Sequence, residues 1–388
     1  MNQSVVILGR QPALGLAELE SLYGAPALHR VSAQVALLDV DPVSINFDRL
    51  GGTVKLAKLL TRLNNTSWQS VVRYIAKTIP DHLQYIPEGK IRLGFNVYGL
   101  DASVAEINRS ALEVKKAIKK AGRSVRVVPN TTPDLNSAQT LHNQLTGPTG
   151  LEFIVAKDGT GVLLAQVTNV QDINAYAARD QARPKRDARV GMLPPKLAQI
   201  IVNLAATDTG TVLDPFCGTG VVLQEALLDG HNAYGSDLEP RMIDYSRTNL
   251  DWLAKKYTLS GTVALEEGDA TDHQWSKPFD VVAGETYLGR PFSAEPTAEI
   301  LGQVRRDVDT IHRKFLKNLA RQTQPGFRAC LAVPAWITKN GILHLPTLDS
   351  LEDLGYTRMS FVHAGNTDLV YYRPGQVVGR ELVVLIRK

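Results

Sequence analysis

Two cysteines in 388 residues, Cys217 and Cys330, are too few and too far apart for a disulfide framework or a cysteine-based zinc site. Their scarcity fits a reducing compartment, and a cytoplasmic protein is expected. No apolar run approaches the ~20 residues needed to cross a bilayer. The stretch Met1–Gly9 lacks the basic and long apolar regions of a secretory signal. The 8 histidines are scattered without metal-ligand spacing, and there is no Gly-x-Ser-x-Gly elbow. Neither metal chemistry nor an activated serine is therefore expected.

What remains is a globular composition, 44% hydrophobic and 21% charged. The length calls for roughly two or three domains. The net charge is only +4, but it is unevenly spread. Residues 109–128 carry seven Lys/Arg against Glu113, and residues 179–196 carry six against Asp180 and Asp187. Positive charge gathered in two places is the pattern of a polyanion-binding face.

Along the chain, Ser4–Leu8 and Gln34–Val40 read as strands, and Leu14–Tyr23 as a helix ended by Gly24. Residues 1–60 are expected to form a small α/β domain of ferredoxin-like type. Lys90–Tyr98, Ser124–Val128, Leu151–Ala156 and Gly161–Val167 supply strands of a second α/β domain, residues 61–172. Within it Ile107, Ala111, Val114 and Ile118 recur at helical spacing, so Lys115, Lys116, Lys119 and Lys120 fall on the exposed side. With Arg123 they form the first candidate polyanion-binding surface. Residues 173–190 read as a charged linker, in which Arg183, Lys185 and Arg186 are the second.

From residue 191 to 388 strands and helices alternate, the pattern of a doubly wound, mostly parallel sheet. Such sheets bind ligands beyond the carboxyl ends of their central strands. Asp214 ends the first of these strands, and the glycines of Cys217-Gly-Thr-Gly220 allow close backbone approach before a helix whose N-terminal amides favour a carboxylate or phosphate. Asp237 ends the second strand, where a carboxylate accepts both hydroxyls of a ribose. Asp269 ends the third, where an acid contacts an adenine amino group. Three acids at three successive strand ends call for one adenosine-containing ligand. A nicotinamide dinucleotide would use the second acid, but its fingerprint wants a third glycine where Leu223 stands and has no need of Asp214. The ligand is therefore read as S-adenosylmethionine.

Asp214-Pro-Phe-Cys-Gly-Thr-Gly220 resembles the first cofactor motif of amino-group methyltransferases. Arg183-Pro-Lys-Arg-Asp-Ala-Arg-Val-Gly-Met-Leu-Pro-Pro-Lys196 resembles the segment before the catalytic domain in THUMP-domain tRNA guanosine-N2 methyltransferases of the archaeal and eukaryotic type. The opening Ile7-Leu-Gly-Arg-Gln-Pro-Ala-Leu-Gly-Leu-Ala-Glu-Leu-Glu20 is similar to their small N-terminal domain. The resemblance implies a Rossmann-like class I methyltransferase domain preceded by small α/β and THUMP-like RNA-binding domains. It implies that Asp214, Phe216, Gly218 and Gly220 hold the methionine moiety, with Pro194 in the upstream motif flanking it. Asp237 with Leu238 would meet the ribose side, and Asp269 with Ala270 the adenine. The implied partner is tRNA, with no membrane and no metal, and a monomer is the expected state.

One motif departs from the family. After the fourth strand the family has Asp-Pro-Pro-Tyr, and this chain has Glu285-Thr286-Tyr287-Leu288. In the family the carboxylate accepts hydrogen bonds from the exocyclic amine, and the aromatic ring stacks on the extruded base. Glu285 keeps a carboxylate on a longer arm, and Tyr287 supplies a ring one position early. Three readings stay open: Glu285 does the aspartate's work, the substrate differs from guanosine N2, or the protein is a non-catalytic tRNA binder. A DNA amino-methyltransferase is a further alternative, against which the N-terminal half speaks.

Overall fold

A computed structural model of the protein describes residues 3–64, 67–187, 193–206, 208–292 and 294–388. In chain order the first half folds into β1 (Ser4–Leu8), α1 (Pro12–Tyr23), β2 (Leu28–Arg30), β3 (Val35–Leu38), β4 (Thr53–Leu63), α2 (Trp68–His82), β5 (Ile91–Tyr98), α3 (Val104–Lys120), β6 (Val125–Val127), α4 (Ser137–His142), β7 (Gly150–Asp158), β8 (Gly161–Val170) and α5 (Ile173–Gln181). The second half gives α6 (Pro195–Ala205), β9 (Thr211–Asp214), α7 (Val221–Leu228), β10 (Asn232–Asp237), α8 (Pro240–Lys256), β11 (Val263–Glu267), β12 (Val281–Glu285) and α9 (Ala298–Gln322). It closes with β13 (Arg328–Thr338), β14 (Gly341–Leu343), β15 (Tyr356–Arg358), β16 (Val370–Tyr371) and β17 (Val378–Arg387). The chain packs as two units, the first made of the stretches through Pro12, Pro26–Asp48 and Thr53–Ala175, the second of Ala13–Ala25, Arg49–Gly52 and Tyr176–Lys388.

The first unit is built on one sheet of order β2-β3-β1-β4-β8-β7-β5-β6. Helices α2 and α3 cover one face with apolar stripes that include Trp68, Ile75, Ile107, Val114 and Ile118. Trp68 meets the Phe95 ring edge-on and donates its indole N–H to Ser110 Oγ at 3.0 Å. A capping box between Ser103 and Glu106 starts α3, and two lysines lie in its last turn, where they favour the helix dipole.

The expected domain break at residue 60 is not there. It falls inside β4, an eleven-residue strand that pairs with β1 on one side and β8 on the other, so residues on both sides of it share one sheet. Most of α1 belongs to the second unit. Its Glu18 carboxylate accepts the Gly51 and Gly52 amides at 2.9 and 2.8 Å and the Asn203 side-chain amide at 2.8 Å. Sequence patterning saw a complete strand–helix–strand block and could not see where each element finds its partners.

The expected linker 173–190 is likewise partly helical. Its first half is α5, where Tyr176 and Arg179 are buried. Arg179 forms a two-pronged ion pair with Glu225 of α7, at 2.7 and 3.2 Å.

The second unit has the order β11-β10-β9-β12-β13-β17-β15, with β14 on β13 and β16 on β17. Strands β9 to β13 run parallel and β17 antiparallel. The order reverses between β9 and β12, and that junction is where such a sheet opens a crevice at its carboxyl ends. Among the described residues no helix is long and apolar enough to cross a membrane.

Candidate active site

The loop from β9 to α7 lies at this junction. Gly220 caps α7 with φ 81, a left-handed conformation that glycine takes at little cost. A Cβ there would also lie 2.9 Å from Ser246 Oγ. Helix α8 holds the loop from behind. Ser246 Oγ donates to the Gly218 carbonyl at 2.9 Å and Asn249 Nδ2 to the Thr219 carbonyl at 2.8 Å. Both side chains are buried, so the loop's shape is set by polar groups that satisfy its carbonyls.

Asp214 is buried at the end of β9 and accepts the Phe216 amide through Oδ1 at 3.2 Å. Gly284 of β12 faces it, and a Cβ at that position would fall 2.5 Å from Asp214 Oδ1. Burial, reinforced by the nearby Asp237 and Glu285 charges, pushes the Asp214 carboxyl well above its ordinary range, against the pull of the Phe216 amide. The Phe216 ring itself turns inward, edge-on to Phe315 of α9 at 5.0 Å.

Asp237 ends β10. Its Oδ2 accepts the Gly218 amide at 2.8 Å and its Oδ1 the Glu239 amide at 3.0 Å, so one side chain ties the glycine loop to the start of α8. Each oxygen keeps a further acceptor site. Beside it Leu238 is 64% exposed, an apolar side chain held in the open. Asp269 follows β11 and accepts the Thr271 amide at 2.9 Å. Ala270 is buried, with its carbonyl bound by Asn318 of α9 at 3.1 Å. The acids expected at three strand ends thus do stand at the carboxyl edge of β10, β9 and the neighbouring β11.

Glu285 is the last residue of β12, and its Oε1 pairs with Arg380 Nε of β17. Burial pushes its carboxyl up and Arg380 draws it back. The backbone after Glu285 is held by Thr286. Thr286 is buried, its amide donating to the Ala332 carbonyl at 3.1 Å and its hydroxyl lying 2.6 Å from His312 Nε2 of α9. His312 Nδ1 lies 2.8 Å from the Val308 carbonyl, which can only accept, so Nδ1 carries the proton and Nε2 accepts from Thr286. Burial lowers the His312 pKa to about 4, in keeping with this neutral tautomer. Gly289 then turns with φ 83, close enough to α9 that a Cβ would lie 3.0 Å from Val308 and 3.1 Å from Val304. Between these anchors Tyr287 is 46% exposed. Of the sequence-named catalytic candidates, Glu285 stands close enough to Asp214 for its charge to act on it, and Tyr287 is partly exposed two residues on.

The upstream motif is only partly described. Gly191 and Met192 lie outside the described residues, and Pro194 caps the start of α6 with φ −65. The candidate RNA-binding cations divide sharply. Lys116, Lys119 and Lys120 are exposed on α3, and Lys115 is half-buried beside them. Arg123 is not available in the same way, because its guanidinium donates to the backbone carbonyls of Leu83, Ile86, Pro87 and Gly89. Arg183 is a correction: its side chain is buried and cannot lie on a phosphate-binding surface. Lys185 sits over the Tyr245 ring at 5.3 Å, and Arg186 is exposed. Among the described residues no cluster could hold a metal ion.

The sequence reading missed Gly284, Ser246, Asn249, His312 and Arg380. Only Gly284, directly before Glu285, lay next to a motif the sequence singled out.

Residues 183–341 match the family model described as UPF0020, the RMKL-like methyltransferase domain. A curated relative from Methanothermobacter thermautotrophicus, a tRNA (guanine(10)-N2)-dimethyltransferase, is 29% identical over 42% of this chain and 46% of its own length. Another of that name from Pyrococcus abyssi is 31% identical over 33% of this chain and 35% of its own. The chain spans less than half the length of these curated relatives. The crystal structure of TrmN from Thermus thermophilus superposes over 100% of both chains with a TM-score of 0.53 and 18% identity, a likeness of fold. The second unit is thus a class I, Rossmann-like methyltransferase fold, and residues 183–341 match the UPF0020 methyltransferase domain.

Proposed function

We propose that this protein transfers a methyl group from S-adenosylmethionine to an exocyclic amine of a tRNA base, the N2 amine of a guanosine. The observation that carries the reading is the cluster of acids at the β9–β12 junction, where Asp214 abuts Gly284 and its carboxyl is pushed up by burial and by the Asp237 and Glu285 charges. Buried carboxyl groups that repel one another are stabilised by a cation, and the proposed donor carries both an ammonium and a sulfonium. Gly284 and Gly220 pack so closely on Asp214 and Ser246 that neither position tolerates a side chain, which fixes Asp214 and the turn in place.

Asp214 and the amides of the Gly218–Gly220 turn would hold the methionine end. Asp237 would accept ribose hydroxyls with its unused lone pairs beside Leu238, and Asp269 with Ala270 would meet the adenine. Bound there, the donor supplies an activated methyl group: the amine's lone pair forms the new N–C bond as the C–S bond breaks, leaving its electron pair on a neutral thioether. Glu285 would accept a hydrogen bond from the amine, aim its lone pair away from the carboxylate and take up or pass on the proton the nitrogen sheds. Tyr287 would stack on the extruded base.

The first unit is proposed as the RNA-binding, THUMP-like part, with Lys115, Lys116, Lys119 and Lys120 on phosphates. A cytoplasmic setting goes with a tRNA substrate and with two free, buried cysteines. The test is transfer of a tritiated methyl group to bulk tRNA and, separately, to duplex DNA. Labelling of tRNA alone, lost in Glu285→Ala, is the expected result. Labelling of DNA would move the reading to a DNA methyltransferase, and no labelling of either would leave a tRNA binder.

A further inference from the structure

We propose that Arg380 is the positioning residue of the acceptor site, holding one oxygen of Glu285 so that the other is presented, as a carboxylate, to the amine. The inference rests on the proposed methyl transfer.

The geometry comes from strand order. Glu285 ends β12, opposite Ala332 of β13. Arg380 lies on β17, on the far side of β13 and opposite Pro334 of that strand. Its side chain spans the intervening strand to bring Nε onto Glu285 Oε1. Both side chains are largely buried, at 7% and 15% exposure. Among the described residues Glu285 has no other hydrogen-bond partner, so its second oxygen remains open. Arg380 has no other side-chain partner either, so its charge is committed to this one group. Its neighbour Glu381 is occupied separately, by Arg358 at 2.9 Å and by His344.

A lone buried glutamate at this place would protonate. Burial raises its pKa, and Arg380 is the group that draws it back, while the Glu285 charge is in turn felt by Asp214 on β9. On α9, His312 is neutral and bound to Thr286, and the cation that lowers the Glu285 carboxyl is Arg380. A protonated carboxyl group could still donate a hydrogen bond, but it could not take the proton the amine sheds. Arg380 offsets the burial from β17. A longer acid in place of the family's aspartate thus comes with a cation to anchor its extra reach.

The test compares Arg380→Gln and Arg380→Lys with the natural protein in two measurements. The first is the pH dependence of kcat for tRNA methylation, with KM for S-adenosylmethionine. An opposite charge at this distance typically shifts a carboxyl group by roughly 1–3 pH units. The acidic limb should therefore move up by that much in Arg380→Gln, with KM little changed, and return toward the natural position in Arg380→Lys. A uniform loss of rate with an unmoved limb would overturn the proposal and leave Arg380 a structural residue. The second is carbon NMR of the Glu285 carboxyl group, which needs no turnover. An upward titration shift in Arg380→Gln supports the proposal, and an unmoved titration overturns it. A natural protein that methylates no RNA would sink the proposed activity, while the NMR titration still decides whether Arg380 sets the state of Glu285.

Discussion

Asp214 and Gly284 face each other across the β9–β12 junction so closely that a Cβ at position 284 would fall 2.5 Å from Asp214 Oδ1. The obstructing atom belongs to a buried carboxylate anchored to the Phe216 amide, which cannot swing aside as a surface side chain would. Gly284→Ala should therefore displace Asp214 and cost about 1–3 kcal/mol in stability, as overpacked sites do. Calorimetry should show S-adenosylmethionine affinity reduced by at least about tenfold, one factor of ten corresponding to about 1.4 kcal/mol. Affinity unchanged in a folded variant would remove Asp214 from the cofactor site.

Asp237 joins the glycine turn to α8 through two amides and is proposed to receive the ribose as well. Asp237→Ala should abolish S-adenosylmethionine binding by calorimetry while leaving tRNA binding in place. Retained cofactor affinity would contradict the assignment.

The α3 lysines and Arg123 should behave differently although they are close in sequence. Charge reversal at Lys116 and Lys119 should weaken tRNA binding and flatten its salt dependence by roughly 0.7–0.9 in log–log slope for each phosphate no longer neutralised. Arg123→Ala should instead lower the unfolding free energy by about 1–3 kcal/mol, because buried or half-buried carbonyls of Leu83 and Ile86 lose their donor. Filter binding over a salt series and urea unfolding separate the two effects.

His312 gives a stability signature with a defined sign. Its folded pKa, about 4, lies below the ordinary imidazole value of 6.5. As pH falls below about 6.5 the unfolded chain takes up a proton that the folded chain refuses until about 4, so this group's contribution is lost across that window. The difference amounts to roughly 3 kcal/mol at the 1.36 kcal/mol that each pH unit represents. Glu18, pushed up to about 7, works in the opposite direction over the same range, so the natural protein's own curve mixes the two. The difference between urea midpoints of the natural protein and His312→Gln, followed from pH 7 to pH 4, isolates the histidine.

How much of this was legible depended on whether the interacting groups were neighbours in sequence. Asp214, Gly218, Gly220, Asp237 and Asp269 could be placed because strand–turn–helix grammar puts such residues at strand ends regardless of the rest of the chain. Charge counting failed between residues 173 and 190, because Arg179 and Arg183 look solvated in sequence but are buried, Arg179 against Glu225, 46 residues away. The missing prolines looked like damage to the acceptor motif. The structure instead pairs Thr286 with His312, 26 residues apart, and Glu285 with Arg380, 95 residues away. No local pattern announces pairings of that span.

The most direct test of the proposed activity is nucleoside mass spectrometry of tRNA incubated with the protein and isotopically labelled S-adenosylmethionine. Label should appear on the N2 amine of guanosine, with none in the Glu285→Ala reaction. Label on an adenosine amine, on a ring nitrogen or on no nucleoside at all would contradict methylation of guanosine N2.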